Sequence, residues 1–498
     1  MVPDETLPSR VGRYAGEVRA ALTATGAWLA ARPPVLAAAL ALLALGYAAA
    51  RLFAPLPAGT WPWLGDSVIF EYIGWFLTEG NRLYIDVWEV KPPLAFEVTA
   101  ALALLAGENV VRYHLLNLAA NAAAIAVGAA VAAGIVDHLT DDALGAVVAG
   151  VAPFVLPMYF YRALVGFKPK YLIVAAGLGC LYLSYRDRPL AAGVAGAAAV
   201  GLWQFALVFP ACALGLCWQR DGRRGAGRVV LGGLATAAVI LLPVVYWGAL
   251  PAMAAETLLV PLLLVGEQPL PARVLALADA LWVWLPVALL GLVGLVRHGW
   301  SRLARTWPLL VVAGWFTVQL LALDYDNPPD LFPWVAVVSV GVGLTIADLR
   351  DWASAADVRG WMPAAATRWA PAGLHDRDAP VGRETAARVL AAGVLVLATV
   401  SVATMGGFGV WSGRTDPKTY DTTRTHSPNV SAPDDLDGVE YQYVYWNRVS
   451  ISTCRAFGGA NQFRLVKRLD LANGGRWETA PCGRFTPLWD AVRAQYGP

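Results

Sequence analysis

The chain has 498 residues, 57% of them hydrophobic and 15% charged, with a mean hydropathy of +0.52. A soluble domain is far less apolar, so most of this chain must reside in lipid. A formal net charge of +2 with scattered basic residues argues against a nucleic-acid surface, and no GxxxxGKS/T or GxGxxG fingerprint follows a plausible strand, which argues against nucleotide-driven chemistry.

Residues 1–33 are a charged lead containing Arg10, Arg13, Arg19 and Arg32, expected on the cytoplasmic side. The first hydrophobic run, Pro34 to Phe53, reaches the length of about 20 residues that a bilayer core requires. No small-residue cleavage site follows it, so a retained span is expected rather than a signal peptide. A polar stretch comes next, within a first outer loop at 54–112. From Asp66 to about Glu79, the apolar residues Ile69, Ile73, Phe76 and Leu77 recur at helical spacing, and Asp66 can cap the free amides at the start. Gly80 and Asn81 end this helix. A second helix is expected from Pro92-Pro93, because proline suits a first turn whose N–H has no partner anyway. Arg82, Asp86, Glu89 and Lys91 lie between the two helices. Glu71 and Glu79 read as a solvated helix face.

Further runs suited to crossing lie near 113–136, 143–160, 170–185, 189–203, 205–218, 229–250, 274–296, 307–323, 331–347 and 387–409. The run 93–106 is too short and contains Glu97, so it is read as a membrane-lying or re-entrant helix. Short cytoplasmic loops collect Lys and Arg. With 93–106 outside the count, Arg186, Arg188, the Arg220–Arg228 cluster, Arg297, Arg302, Arg305 and the loop 348–388 all fall inside. The expected architecture is therefore an all-α polytopic membrane protein of eleven spans in 34–411, with a cytoplasmic N-terminus. A small α+β domain over 412–498 would lie outside, its "VEYQYVYW" suggesting strand and "LWDAVRAQY" a short helix. There Cys454 and Cys482 could pair as a disulfide, and Asn429 opens a glycosylation sequon. Cys180, Cys212 and Cys217 read as small buried hydrophobes.

The same orientation leaves Arg82, Lys91, Arg112, Arg162, Lys168 and Lys170 outside, against the usual bias. For Lys91, Arg162, Lys168 and Lys170 an anion site is the better explanation, because charges at the membrane are costly and are usually paired or functional. His114, Asn117 and Asn121 form one stripe of the second span, suited either to lining a polar pocket or to hydrogen bonds between helices. Asp279 and the "DYDNPPD" turn at 324–330 are further acidic candidates for ligand contact.

The ordered set in "GDSVIFEYIGWFLTEGNRLYIDVWEVKPPLAF" is an Asp after the first span, a helix, a "G…Y.D.W" turn and then "KPP". It resembles the first loop of the GT-C-fold glycosyltransferases that use polyprenyl-phosphate sugars, the superfamily of protein O-mannosyltransferases and the lipid A aminoarabinose transferase. The resemblance covers roughly residues 34–350. It implies a GT-C-like fold in which Asp66 is the general base that deprotonates an acceptor hydroxyl. Lys91 would hold the departing phosphate, helped by Arg162, Lys168 or Lys170. Read on their own residues, Asp86 and Glu89 are expected to be acceptor ligands or salt-bridge partners for Lys91 and Arg82, and His114 and Asn117 to border a sugar pocket or bond between helices; with Arg82 they make up the candidate substrate-binding set. Attack opposite the phosphate would invert the anomeric centre.

The second outer loop, "YRALVGFKPKY", lacks the carboxylate that related enzymes often carry there, and neither an Asp-x-Asp pair nor WWDYG is present. A metal-independent transfer of one sugar, mannose for preference, is therefore expected. The donor would be a dolichyl- or other polyprenyl-phosphate sugar, consumed as substrate, with no cofactor. The acceptor would be a glycan, glycolipid or glycoprotein outside the plasma membrane. Two other classes fit the composition: a flippase or exporter of lipid-linked sugars, and an envelope scaffold. A transporter needs polar groups near the membrane midplane, whereas here they collect at one depth.

Overall fold

A computed structural model of the chain describes residues 31–54, 60–63, 65–78, 80–84, 89–107, 109–259, 270–323, 328–354, 380–404 and 418–421. The expected helices come first in these residues: α1 (Pro33–Phe53), α2 (Gly65–Thr78), α3 (Leu94–Ala106) and α4 (Val110–Thr140). They are followed by α5 (Ala143–Val151), the short α6 (Pro157–Tyr161), α7 (Pro169–Tyr185) and α8 (Pro189–Leu202). The remaining helices are α9 (Val208–Tyr246), α10 (Leu250–Ala254), α11 (Leu270–Leu281), α12 (Leu285–Ser301), α13 (Leu303–Val318), α14 (Phe332–Ser354) and α15 (Pro380–Thr404). Two short strands, β1 (Thr60–Trp63) and β2 (Lys418–Asp421), pair antiparallel. Through them the approach to α2 meets the chain beyond α15.

Local chemistry sets many of these boundaries. Pro33, Pro169, Pro189 and Pro286 stand in helical first turns, where a missing N–H costs nothing. Asn109 caps α4 by accepting from the Arg112 amide at 2.9 Å, and Asp142 caps α5 by accepting from Gly145 at 2.9 Å. The outer surface is apolar: Leu43, Val239, Tyr246 and Trp300 are exposed, as lipid-facing side chains are.

Six of the described helices are long and apolar enough to cross a bilayer, or up to eight if each of two bent pairs counts as one span. The expected count of eleven is therefore not reached by length and composition among the described residues. Several expected spans take a different form. The run 143–160 is broken, with α5 and its 3-10 extension meeting the following helix at 84°. The run 274–296 bends by 103° between α11 and α12. The runs 205–218 and 229–250 lie on α9, which is interrupted at Gly222 (φ 60°, ψ −143°), a conformation open essentially to glycine alone. A Cβ built at Gly225 would stand 2.5 Å from the Cys217 carbonyl oxygen, so the chain folds back on itself there. The run 93–106 is a short helix of 13 residues, as expected.

At the centre lies α14, whose residues 332–344 are all buried. Glycines allow this packing. A Cβ at Gly294 of α12 would stand 2.0 Å from the Gly341 carbonyl oxygen, and one at Gly145 of α5 would stand 2.5 Å from that of Gly343. Backbones in contact gain dispersion where lipid offers no hydrophobic drive between helices. At the opposite end from α2, Arg350 grips both carboxylate oxygens of Asp142 at 3.1 and 2.9 Å.

Candidate functional site

The site is built where α2 and α4 receive the second outer loop. Glu71 on α2 is buried, which corrects its reading as a solvated face. Its Oε1 accepts the Phe167 amide at 2.8 Å, its Oε2 lies 3.2 Å from His114 Nδ1, and its main-chain carbonyl accepts the Tyr113 hydroxyl at 2.7 Å. One turn further along α4, the Asn117 amide donates to the Tyr113 carbonyl at 3.0 Å, and its Oδ1 is buried with no hydrogen bond. Next on the stripe, Asn121 Nδ2 donates to the carbonyls of Ala163 (3.0 Å) and Gly166 (2.8 Å). Its Oδ1 accepts the Lys168 amide at 3.0 Å. One amide side chain thus fixes the whole bend, in which Gly166 has φ +116°. His114 and Asn121 bond to other segments, while Asn117 keeps an open acceptor.

This bracing holds three cations, Arg162, Lys168 and Lys170, in buried positions. Lys170 pairs with Asp330 of the turn before α14 at 3.0 Å, and its Nζ lies 2.8 Å from the centre of the Trp203 ring. From the first outer loop, Lys91 Nζ lies 3.3 Å from Glu89 Oε1 and 5.3 Å from the Phe70 ring centre. Phe70 in turn meets Phe96 at 5.5 Å and Phe167 at 6.0 Å.

The contacts close a circuit. Lys91 sits over Phe70, Phe70 touches Phe167, and Lys168 follows in sequence. Lys170 sits over Trp203, and neighbouring Gln204 donates to the Val90 carbonyl at 3.4 Å, beside Lys91. Asp66, in the first turn of α2, lies one helical turn before Phe70, within the element that carries Lys91's aromatic seat. Between α2 and α3, Arg82 is exposed and Glu89 is buried. Asp86, Cys454 and Cys482 lie outside the described residues. So do the sequon and the segments expected to be strand and helix in 412–498.

Several residues of the site were not picked out from sequence. Tyr84, in the left-handed region at φ +65°, donates its hydroxyl to the Lys91 carbonyl at 2.7 Å. Glu256, from the turn after α10, accepts the Glu89 amide through Oε2 at 3.0 Å. Burial holds the Glu256 carboxyl well above its usual range; the Glu89 amide works against this shift and the Glu89 charge adds to it. Burial also raises Glu97, on the first turn of α3, to about 7, and its Oε1 is buried without a hydrogen bond. Tyr84 is pushed up by burial first, then by Glu256, Glu89 and Glu97. The lone apolar-flanked Glu256 was the available signal, since a carboxylate in such a run needs a partner.

Residues 80–242 match the family model described as DolP-mannose mannosyltransferase. A dolichol phosphate-mannose mannosyltransferase of Haloferax volcanii is 31% identical over 292 residues, 58% of this chain and 64% of that relative. The chain thus matches less than two thirds of the relative's length. Among solved structures, an oligosaccharyltransferase of Archaeoglobus fulgidus aligns with a TM-score of 0.49 at 14% identity, covering 84% of this chain and 59% of the other. ArnT of Cupriavidus metallidurans in the apo state aligns with a TM-score of 0.47 at 16% identity, covering 78% and 76%. The segment carrying Lys91, Arg162, Lys168 and Lys170 is therefore similar to DolP-mannose mannosyltransferases, and Asp66 lies just ahead of it.

Proposed function

We propose that the chain is a GT-C-like membrane glycosyltransferase that moves one mannosyl residue from a dolichyl- or other polyprenyl-phosphate donor to an extracytoplasmic glycan, lipid-linked or protein acceptor. The observation that carries this reading is the circuit that runs from Lys91 through Phe70, Phe167 and Lys168 and closes through Lys170, Trp203, Gln204 and Val90, lying largely within the segment similar to DolP-mannose mannosyltransferases. Cations held rigidly beside aromatic faces suit a phosphate that must depart with its charge neutralised. Lys170, paired with Asp330, adds rigidity and a second positive centre.

In the proposed reaction Asp66 accepts the proton of the acceptor hydroxyl, whose oxygen attacks the anomeric carbon from the face opposite the phosphate. The bond between anomeric carbon and phosphate oxygen breaks, its electron pair leaves with the polyprenyl phosphate, and the product is inverted. Lys91 and Lys168, with Arg162, stabilise the departing phosphate, and no step calls on a metal. Eleven spans, an inside N-terminus, and an outside C-terminal domain with a Cys454–Cys482 bridge belong to the same proposal.

The test is transfer by the purified full chain from a panel of polyprenyl-phospho-sugars. Asp66→Asn is expected to lower turnover about a hundredfold or more while still binding donor. Undiminished turnover removes Asp66 from the base role. Donor binding and translocation by the wild-type chain without transfer would favour an exporter instead.

A further inference from the structure

We propose that Glu256 is a positioning residue, a latch from the α10 segment that holds the Glu89–Lys91 turn in the shape that presents Lys91 to a lipid-borne phosphate. The consequence for phosphate rests on the function proposed above, while the latch itself does not. Glu256 is buried, and its Oε2 accepts the Glu89 main-chain N–H at 3.0 Å across 167 residues of sequence. The neighbouring bonds show what that amide controls. Glu89 Oε1 accepts the Val90 amide at 2.9 Å and lies 3.3 Å from Lys91 Nζ. The Lys91 carbonyl is held by the Tyr84 hydroxyl at 2.7 Å, and the Val90 carbonyl by Gln204 at 3.4 Å.

Residues 89 to 91 are therefore held by three side chains from outside the turn, Tyr84, Gln204 and Glu256, of which Glu256 alone arrives from the stretch beyond α9. It precedes Leu258, an exposed apolar residue suited to contact with a lipid chain. Burying a second carboxyl beside Glu89 costs free energy, which the hydrogen bond to the Glu89 amide offsets in part. Only a hydrogen-bond acceptor is required at this position, so an amide can replace the acid. A methyl group cannot.

The experiment uses the full chain in nanodiscs, in the wild-type form and as Glu256→Ala, Glu256→Gln, Lys91→Ala and the double variant Lys91→Ala/Glu256→Ala. Hydrogen–deuterium exchange at the Glu89–Lys91 amides reads the latch without reference to any ligand. Exchange is expected to rise about tenfold in Glu256→Ala, the size of one net hydrogen bond, and to stay near wild type in Glu256→Gln. Unchanged exchange in Glu256→Ala, or equal exposure in Glu256→Gln, overturns the latch. Polyprenyl monophosphate binding, with the polyprenyl alcohol as control, reads the consequence. Glu256→Ala is expected to weaken phosphate-dependent binding about tenfold, and to add nothing once Lys91 is alanine. Independent, multiplying losses overturn the claim that Glu256 acts through Lys91. If exchange responds as expected and the wild-type chain shows no preference for phosphate over alcohol, the latch stands and the donor reading fails.

Discussion

Replacing Asn121 tests whether the second outer loop is held from α4. Its side chain makes three hydrogen bonds to the Ala163–Lys168 bend, at 3.0, 2.8 and 3.0 Å, all buried. At about 1 kcal/mol net for each, Asn121→Ala should destabilise the bend by about 3 kcal/mol, because it also leaves buried main-chain groups without partners. That corresponds to about a hundredfold rise in local opening, measurable as hydrogen exchange at the Phe167 and Lys168 amides of the full chain in nanodiscs. Asn121→Asp is the more informative change. It keeps an oxygen for the Lys168 amide and sets a second oxygen against two carbonyl oxygens that can only accept. Aspartate should therefore be worse than alanine, despite its shape. If alanine leaves exchange unchanged, or aspartate protects the bend better than alanine, the bracing argument is wrong.

Glu97 should make stability depend on pH. Burial keeps its proton to about pH 7 in the folded chain, against 4.5 for the free side chain. The folded state therefore binds more protons between those values, so stability is expected to fall as pH rises from about 4.5 through 7 and then level off. Glu97→Gln should flatten that slope in thermal melts. Gly294→Ala places a methyl 2.0 Å from the Gly341 carbonyl oxygen, and α12 and α14 must part. The expected loss is about 1–3 kcal/mol by thermal unfolding, whereas Gly314→Ala, with nothing within 4 Å, should be harmless. Asp330→Ala strips a buried partner from Lys170 and should cost about 3 kcal/mol or more, part of which Lys170→Met should recover in a double-mutant cycle.

Elements governed by local rules were legible in the sequence. The start of α3 after Pro92-Pro93, the helix over 65–78 and the shortness of 94–106 follow from turn chemistry and spacing. The cations Lys91, Arg162, Lys168 and Lys170 stood out because they contradicted the charge bias around them. What escaped was decided by partners distant in sequence. Glu71 looks solvated on its own helix and is buried only because the bend at 163–167 docks on it. Asp330 and Glu256 each meet a partner more than 150 residues away, across gaps that no periodicity bridges. Hydropathy registers the apolar length of 143–160 or 274–296 and is silent on the bends of 84° and 103° that interrupt those runs.

The enclosure of α14 bears on how the molecule is made. Its residues 332–344 are enclosed by protein, yet the mean hydropathy along Pro329–Arg350 is 1.7, close to that of helices facing lipid. In its final place Val335, Val337, Val338 and Val340 meet only side chains and backbone, so oil-like solubility brings them no benefit there. That apolarity serves an earlier moment, when the segment leaves the insertion machinery as a single rod among acyl chains and must survive before its companions gather round it. Polar replacements along α14 should then lower the yield of inserted protein more steeply than they weaken protein already assembled.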